Sequence, residues 1–265
     1  MRAEPFSCKP TTVAVTSKHR ALYAMKLKST SMTGALSDVR GAMSFEMQDR
    51  CQGWEIESKV YLRLAYQDRD EVESMRTYHT WESKDGLDYR FKVHESQPGE
   101  SDNEIEGVAI LDGRGEAGVA EYTKPKPLRV NLPAGTLFPT AHAALLVAEA
   151  EQGKHHVGKV VFDGSTLDNP FEISAVISNQ MKTAAGMAER LHLKQVREWS
   201  ARMAYFPLLS KVQTPDFELG VRLREDGIVS KLIQDFGDYS IEADLDHIEI
   251  LPAAPNCDPR YSPSQ

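Results

Sequence analysis

The most suggestive chemical motif in the sequence is the glycine-rich run at 112–118, which contains GxGxxG directly after the apolar residues 108–111. In a dinucleotide site such a run opens a helix whose N-terminus holds the pyrophosphate, and an acidic residue about 20 positions later binds the ribose. Here residues 119–123 alternate as a strand does, two prolines at 125 and 127 forbid a helix, and residues 131–138 hold no carboxylate. We therefore interpret the run as a hairpin turn and expect no nucleotide cofactor.

The histidines and cysteines also lack the spacing that metal binding or catalysis requires. His155 and His156 are adjacent, and adjacent strand positions point to opposite faces. There is no CxxC, no cluster of cysteine and histidine, and no Gly-x-Ser-x-Gly nucleophile motif. Many carboxylates alternate with lysine and arginine, as on a solvated sheet face. We predict no metal, no cofactor and no catalytic residues, although a carboxylate pair could lie unmarked among these acids.

Composition excludes two classes of partner. The chain has 265 residues and a formal charge of −8, whereas a general nucleic-acid binder carries a basic surface. No window approaches the roughly 18 apolar residues of a membrane span, and the most apolar stretch, 141–150, contains His142. The first residues lack the apolar core of a signal peptide. That is consistent with a cytosolic protein holding three reduced thiols, or with a mature chain numbered after signal removal.

A hydrophobic period of two dominates the chain and predicts antiparallel strands. The longest example runs from Trp54 to Tyr66, with apolar side chains on one face and charged ones on the other. Turn residues separate such segments, as at Asp85-Gly86. The parity of the last strand changes between Leu245 and Ile248, which predicts a bulge near Asp246-His247.

One main helix is predicted at about 139–152. Thr140 can cap its first amides, the alanine-rich run favours helix, and Gly153 suits the position just past its end. A second segment, 184–206, is ambiguous, and we expect a loop or short helix followed by a strand from about Val196.

The predicted fold is mainly β, a large antiparallel sheet of a dozen or more strands. Twist accumulates in so large a sheet, so it must curl. One helix cannot cover its whole apolar face. The sheet is therefore either packed solid or leaves a concave apolar groove. Core packing and ligand binding explain equally well the side chains that would line such a groove, which are Met43, Phe45, Trp54, Ile56, Leu62 and Leu64.

Several segments taken in order resemble the EipB-like family of periplasmic cell-envelope integrity proteins of alphaproteobacteria. No single segment is diagnostic, but their order and spacing together are specific, from about Ser17 to Cys257. They are His19-Arg20-Ala21-x-Tyr23, Cys51-Gln52-Gly53-Trp54, the run 132–142 (LPAGTLFPTAH), Phe162-Asp163-Gly164-Ser165, Ala204-Tyr205-Phe206, Phe236-Gly237-Asp238-Tyr239, and Cys257 after Leu251-Pro252-Ala253.

The resemblance implies a β-spiral, open-barrel-like sheet similar to the lipoprotein carriers LolA and LolB, and a periplasmic location. It also implies a disulfide between Cys51 and Cys257, leaving Cys8 as a free thiol in an N-terminal extension at 1–16. Residues 17–257 would form a single domain followed by a tail at 258–265. The family supplies no catalytic residues, and the stretch 179–194 departs from its pattern.

We therefore expect a non-enzymatic protein, favoured to be a monomer, that supports the envelope by binding a lipid, a lipoprotein or an envelope protein on its concave face. The alternatives are a hydrolase or transferase acting on an envelope lipid through unrecognised carboxylates, and a purely structural scaffold with a filled interior.

Overall fold

A computed structural model describes residues 17–31, 36–68, 70–99, 101–208 and 214–252. These residues form fifteen β-strands and two α-helices, in the order β1 (His19–Thr30), β2 (Leu36–Asp49), β3 (Gly53–Tyr66), β4 (Val72–Ser83), β5 (Asp88–Ser96), β6 (Asn103–Leu111), β7 (Gly118–Lys124), β8 (Leu128–Leu132), α1 (Pro139–Glu151), β9 (His156–Val161), β10 (Phe171–Ile177), β11 (Met181–Lys182), α2 (Ala185–Arg190), β12 (Arg197–Pro207), β13 (Phe217–Arg224), β14 (Val229–Asp235) and β15 (Tyr239–Ile250).

The strands form one antiparallel sheet with the order β8-β7-β6-β5-β4-β3-β2-β1-β15-β14-β13-β12-β10-β9, and β11 pairs with β12. Most neighbours in the sheet are also neighbours in sequence, because short turns are enough to join antiparallel strands. A long-range pairing joins the first strand to the last, with His19 opposite Ile250 and Leu27 opposite Ile241. The predicted large, mainly β fold is confirmed.

The sheet curls without closing, since β8 and β9 form its two edges. The segment that follows β8 reaches the other edge, where Leu137 makes a parallel bridge to Val161. The Leu137 N–H donates to the Val160 carbonyl at 2.9 Å, and the Phe162 N–H donates to the Leu137 carbonyl at 3.0 Å. The two edges are thus brought close by a short connecting segment, as in an open barrel.

Helix α1 confirms the predicted main helix but begins differently. Its N-cap residue is Phe138, which makes no side-chain capping bond, and Thr140 lies inside the first turn. The prediction that Thr140 caps the helix is therefore wrong. Gly153 follows the helix with φ 75°, the left-handed conformation expected there.

The ambiguous segment is α2 followed by β12, as expected. It is fastened to the sheet by Arg224, whose side chain is 1% exposed. The Arg224 Nη1 donates to Thr183 Oγ1 at 3.0 Å and to the Lys194 carbonyl at 3.2 Å. Its Nε and Nη2 donate to the two carboxylate oxygens of Asp226 at 3.0 and 2.6 Å. A buried charge is tolerated when it has partners of this kind.

Two local predictions from turn chemistry are also confirmed. The run 112–118 is the hairpin turn between β6 and β7, and Gly115 has φ 79° within it. In β15 the register against β1 shifts by one residue between Leu245 and His247, which is the predicted bulge.

Each end of the sheet has its own core cluster, and both clusters lie on the same face of the sheet, which we call the inner face. Helix α1 and strands β9, β10, β12 and β13 enclose one core cluster, which includes Leu146, Phe171 and Trp199. Strands β5–β8 enclose another with Phe138 and Phe162. Between these ends, a smaller cluster joins β1 and β15 to the residues around α2.

Candidate functional site

The six side chains predicted to line a groove lie on the inner face of β2 and β3. The register pairs Met43 with Val60 and Phe45 with Ser58. Strand alternation then places the other four on the same face, opposite Asp49, Met47, Gly41 and Val39; they are Trp54, Ile56, Leu62 and Leu64. All six are half-buried rather than enclosed. Their role in binding stays a prediction.

The inner face of β2–β4 is less covered than either end of the sheet. Met43 and Phe45 pack against the cluster beneath α2. Leu62 and Leu64 pack against a small cluster formed by Leu36, Val39 and Ile241. None of the four becomes buried by these contacts. Part of a long apolar surface thus stays accessible between two filled regions.

Trp54 marks one limit of this surface. The Lys84 ammonium lies 3.0 Å from the centre of a Trp54 ring, a cation–π contact. The same ammonium pairs with Asp49 at 3.0 Å. Trp54 is therefore partly covered by a paired charge, whereas Leu62 and Leu64 face no such group among the contacts of the described residues.

The loop 162–170 enters the concave interior beside β5. Its backbone is held by tyrosines, because Tyr89 Oη donates to the Asp163 carbonyl at 3.0 Å and Tyr122 Oη donates to the Thr166 carbonyl at 3.1 Å. The Asp163 N–H donates to Asn169 Oδ1, also at 3.0 Å. This loop fills the β5–β8 end of the interior and forms one wall of the accessible middle.

Substitution Gly164→Ala is expected to lower the free energy of unfolding by about 2 kcal/mol. Gly164 has φ 64°, and an added Cβ would lie 2.4 Å from Phe91 Cγ, so both backbone strain and overpacking contribute. Gly135→Ala is the matched control, since Gly135 has φ 84° and its Cβ would meet nothing within 4 Å. Urea unfolding of both variants measures their losses in free energy of unfolding, and the difference between the two losses is the steric contribution at Gly164. Equal losses would contradict the close packing of the loop on Phe91.

Arg76 is a charged residue on this apolar face. It pairs with Val60 on β3 and with Glu95 on β5, so it shares the inner face with Tyr78. Its Nη2 donates to the Ser165 carbonyl at 2.7 Å. No other lysine or arginine is placed on the inner face of β2–β4 by the register.

Glu82 lies at the N-terminus of α1 and caps the helix in place of Thr140. Its two carboxylate oxygens accept hydrogen bonds from the Thr140 N–H at 2.7 Å and the Ala141 N–H at 2.8 Å. Glu82 is 3% exposed. Burial raises its pKa to about 7, although the two amide bonds act in the opposite direction. His142 directly follows Ala141 in the sequence. Burial lowers the pKa of His142 to about 4, and the charge of Lys159 adds to the effect.

Sequence reasoning missed Arg76 and Glu82, although a weak signal was present. Both have the same parity in β4 as Tyr78, whose side chain packs on the core formed by β5–β8. A period-two interpretation of β4 that started from Tyr78 would have placed both charges inside. Hydrophobicity alone assigns such side chains to solvent, which is why the pattern gave no warning.

Cys51 lies in the turn between β2 and β3, with φ 62° and its N–H bonded to Asp49 Oδ1 at 3.0 Å. Cys8 and Cys257 both lie outside the described residues, as do the predicted extension and tail. The pairing of Cys51 with Cys257 therefore stays a prediction.

In the described part of the chain, no group of three or more metal-ligating side chains is arranged around a common point. A surface cleft of about 220 Å³ is lined by charged side chains on the outer face of β2 and β3, including Arg40 and Arg63. These pair with Asp38 at 2.8 Å and Glu71 at 2.6 Å, so the cleft is a set of satisfied ion pairs. Neither helix among the described residues is long and apolar enough to cross a bilayer.

Comparison with known proteins agrees with the resemblance seen in the sequence. The chain is 26% identical over 245 residues to the Cell envelope integrity protein EipB of Brucella abortus, an alignment covering 90% of this chain and 85% of that protein. A crystal structure described as a beta-barrel-like protein of a domain of unknown function from Brucella abortus superposes with a TM-score of 0.79 at 24% identity, covering 89% of this chain and 98% of that one. The family model for EipB-like proteins matches residues 11–252. Because that match spans most of the sequence, the chain belongs to the EipB-like family.

Proposed function

We propose that this protein supports the integrity of the cell envelope from the periplasm, without catalysis, by binding a hydrophobic ligand or an envelope protein on its concave inner face. One observation carries the proposal, the half-buried apolar surface of β2 and β3 between two filled ends of the sheet. The printed name of its relative from Brucella abortus supports the envelope role.

The middle of the sheet differs from its ends in how much of its apolar surface is covered. Burial of apolar surface stabilises the folded state by roughly 25 cal/mol for each Å² removed from water. At the ends of this sheet, α1 and the loop 162–170 bury the apolar surface and provide that stabilisation. Leu62 and Leu64 gain only part of this stabilisation, since neither side chain is buried. Partly accessible apolar surface on a concave face is typical of a binding site.

The periplasmic part of the proposal depends on the bond between Cys51 and Cys257, since disulfides persist in oxidising compartments. Strands β15, β1 and β2 are adjacent, and Met47 and Ile250 both lie opposite His19. They are separated by two inter-strand spacings, about 10 Å. Cys257 follows Ile250 by seven residues, and such a segment spans up to about 23 Å. Reach therefore permits the bond.

A hydrolase or transferase is the alternative class. Among the described carboxyl groups, Glu82 is the one whose pKa is raised, and raised values often mark catalytic acids. However, its two oxygens accept backbone hydrogen bonds from α1. This is the geometry of a helix cap, in which both oxygens already serve a structural role. Incubation of the protein with envelope phospholipids would reveal turnover under the enzymatic alternative.

Native mass spectrometry of the purified protein is expected to show a bound amphiphile that organic extraction removes. Leu62→Asn should weaken rebinding of a neutral C12 detergent by about tenfold, because it removes apolar contact worth about 1.5 kcal/mol. Met75→Asn is the matched control, since Met75 is 48% exposed on the outer face of β4. Equal affinity for both variants, or a protein that binds no amphiphile, would contradict a hydrophobic ligand and leave an envelope protein as the partner.

A further inference from the structure

Arg76 is an unusual residue in the proposed groove because it brings a positive charge to an apolar surface. Its strand neighbours on the inner face are Ser74 and Tyr78, and Val60 lies directly opposite on β3. Leu62 and Leu64 continue the same face of β3 toward its end, opposite Ser74 and Val72. All of these side chains are half-buried. A cation therefore stands at one end of an accessible apolar strip.

The hydrogen-bonding capacity of this guanidinium is only partly used. Nη2 donates to the Ser165 carbonyl at 2.7 Å, and the guanidinium lies over the Tyr78 ring with its carbon 4.9 Å from the ring centre. Nε is buried and has no hydrogen-bond partner among the described residues. Buried donors are normally paired, so an unpaired one calls for an explanation.

Two carboxylates lie in the region but form no ion pair with Arg76 among the described residues. Glu95 stands opposite it on β5, and Asp163 lies in the loop that supplies the Ser165 carbonyl. Burial raises the pKa of Tyr78 to about 12, Arg76 opposes that rise, and Asp163 and Glu95 add to it. Both acids thus act on the same phenol without neutralising Arg76 through direct contact.

We propose that Arg76 binds the anionic head group of a single-chain amphiphile whose tail lies along Val60, Leu62 and Leu64. This inference rests on the proposed function and specifies the class of ligand. A carboxylate or phosphate accepts charge-assisted, bidentate hydrogen bonds from a guanidinium more strongly than any neutral group does. The inner face from Val60 to Leu64 is about 13 Å long at the rise of a strand, which suits an extended alkyl chain.

The first test compares three C12 probes on the wild-type protein by isothermal titration calorimetry. They share one tail and differ in head group: dodecanoate, dodecyl maltoside and dodecyltrimethylammonium. We expect dodecanoate to bind at least about tenfold more tightly than the neutral and cationic probes, because only it pairs with the guanidinium. Dodecyl phosphate should share this preference. Equal affinity for dodecanoate and dodecyl maltoside would overturn the inference and leave the proposed function standing, whereas absence of binding by every probe would overturn the inference together with the hydrophobic ligand of the proposed function.

The second test removes the charge. Arg76→Gln should weaken dodecanoate binding by about tenfold and leave dodecyl maltoside binding unchanged. Arg63→Gln is the matched control, since Arg63 carries the same charge on the outer face of the adjacent strand β3. An equal effect of the two variants on dodecanoate would contradict a specific site. Arg76→Lys keeps the charge but loses the planar fork, and it should retain the preference for dodecanoate over dodecyltrimethylammonium. If Arg76→Gln fails to fold, the wild-type selectivity and Arg76→Lys decide the question.

Discussion

Loss of the proposed bond between Cys51 and Cys257 is expected to lower the free energy of unfolding by about 5 kcal/mol. A cross-link that closes so long a loop removes much of the conformational entropy of the unfolded chain, and strain or residual structure would reduce the figure. Urea unfolding of the Cys51→Ser variant, followed by tryptophan fluorescence, measures the loss. The change is large because total stabilities of domains are typically 5–15 kcal/mol.

Cys8→Ser is the control for this experiment, because Cys8 lies far from the family cysteines in sequence. It should leave the unfolding midpoint unchanged. Thiol counting on the denatured, unreduced wild-type protein should find one free cysteine, and the Cys8→Ser variant should show none. Three titratable thiols in the wild type would refute the bond, and with it the main argument from the sequence for an oxidising compartment.

The strands of this protein could be predicted from sequence because their environment is two-sided. From Trp54 to Tyr66, alternate residues face the interior and the solvent. The sequence of such a strand therefore alternates between apolar and polar residues. The bulge in β15 could be predicted for the same reason, since an inserted residue inverts the alternation. Helix α1 followed from propensity and from Gly153.

The charged residues of the inner face could not be predicted in this way, because their burial depends on partners far away in sequence. Arg76 is inside because the loop 162–170 presents the Ser165 carbonyl to it, 89 residues later. Glu82 is inside because α1 begins beside β4 and has two free amides there. These are the amides of Thr140 and Ala141, which lie 58 and 59 residues after Glu82 in the sequence. Hydrophobicity contains no information about such encounters, so it assigns both side chains to water, and only their shared parity with Tyr78 in β4 places them inside.

Glu82 and His142 are expected to contribute opposite pH dependences to stability. Burial raises the pKa of Glu82 from 4.5 to about 7, so the folded state binds more protons in that range. The stability from Glu82 is therefore full below about pH 4.5 and falls by about 3 kcal/mol as the pH rises through 7. Burial lowers the pKa of His142 from 6.5 to about 4. Its contribution is full above about pH 6.5 and falls by a similar amount, about 3 kcal/mol, as the pH drops through 4.

These two contributions largely cancel between pH 4.5 and 6.5 in the wild type, and single substitutions should separate them. Relative to wild type, Glu82→Gln should gain about 3 kcal/mol in free energy of unfolding as the pH rises from 4.5 to 7, because the amide cannot ionise. His142→Phe should gain about 3 kcal/mol relative to wild type as the pH falls from 6.5 to 4, since its ring cannot be protonated. The comparison uses differences across pH, so a constant change in stability from either substitution does not affect it. Glu121→Gln, at an exposed carboxylate on β7, should parallel the wild type throughout. Were Glu82→Gln and His142→Phe also to parallel it, neither group would titrate differently in the folded and unfolded states, and the buried cap on α1 would have to be abandoned.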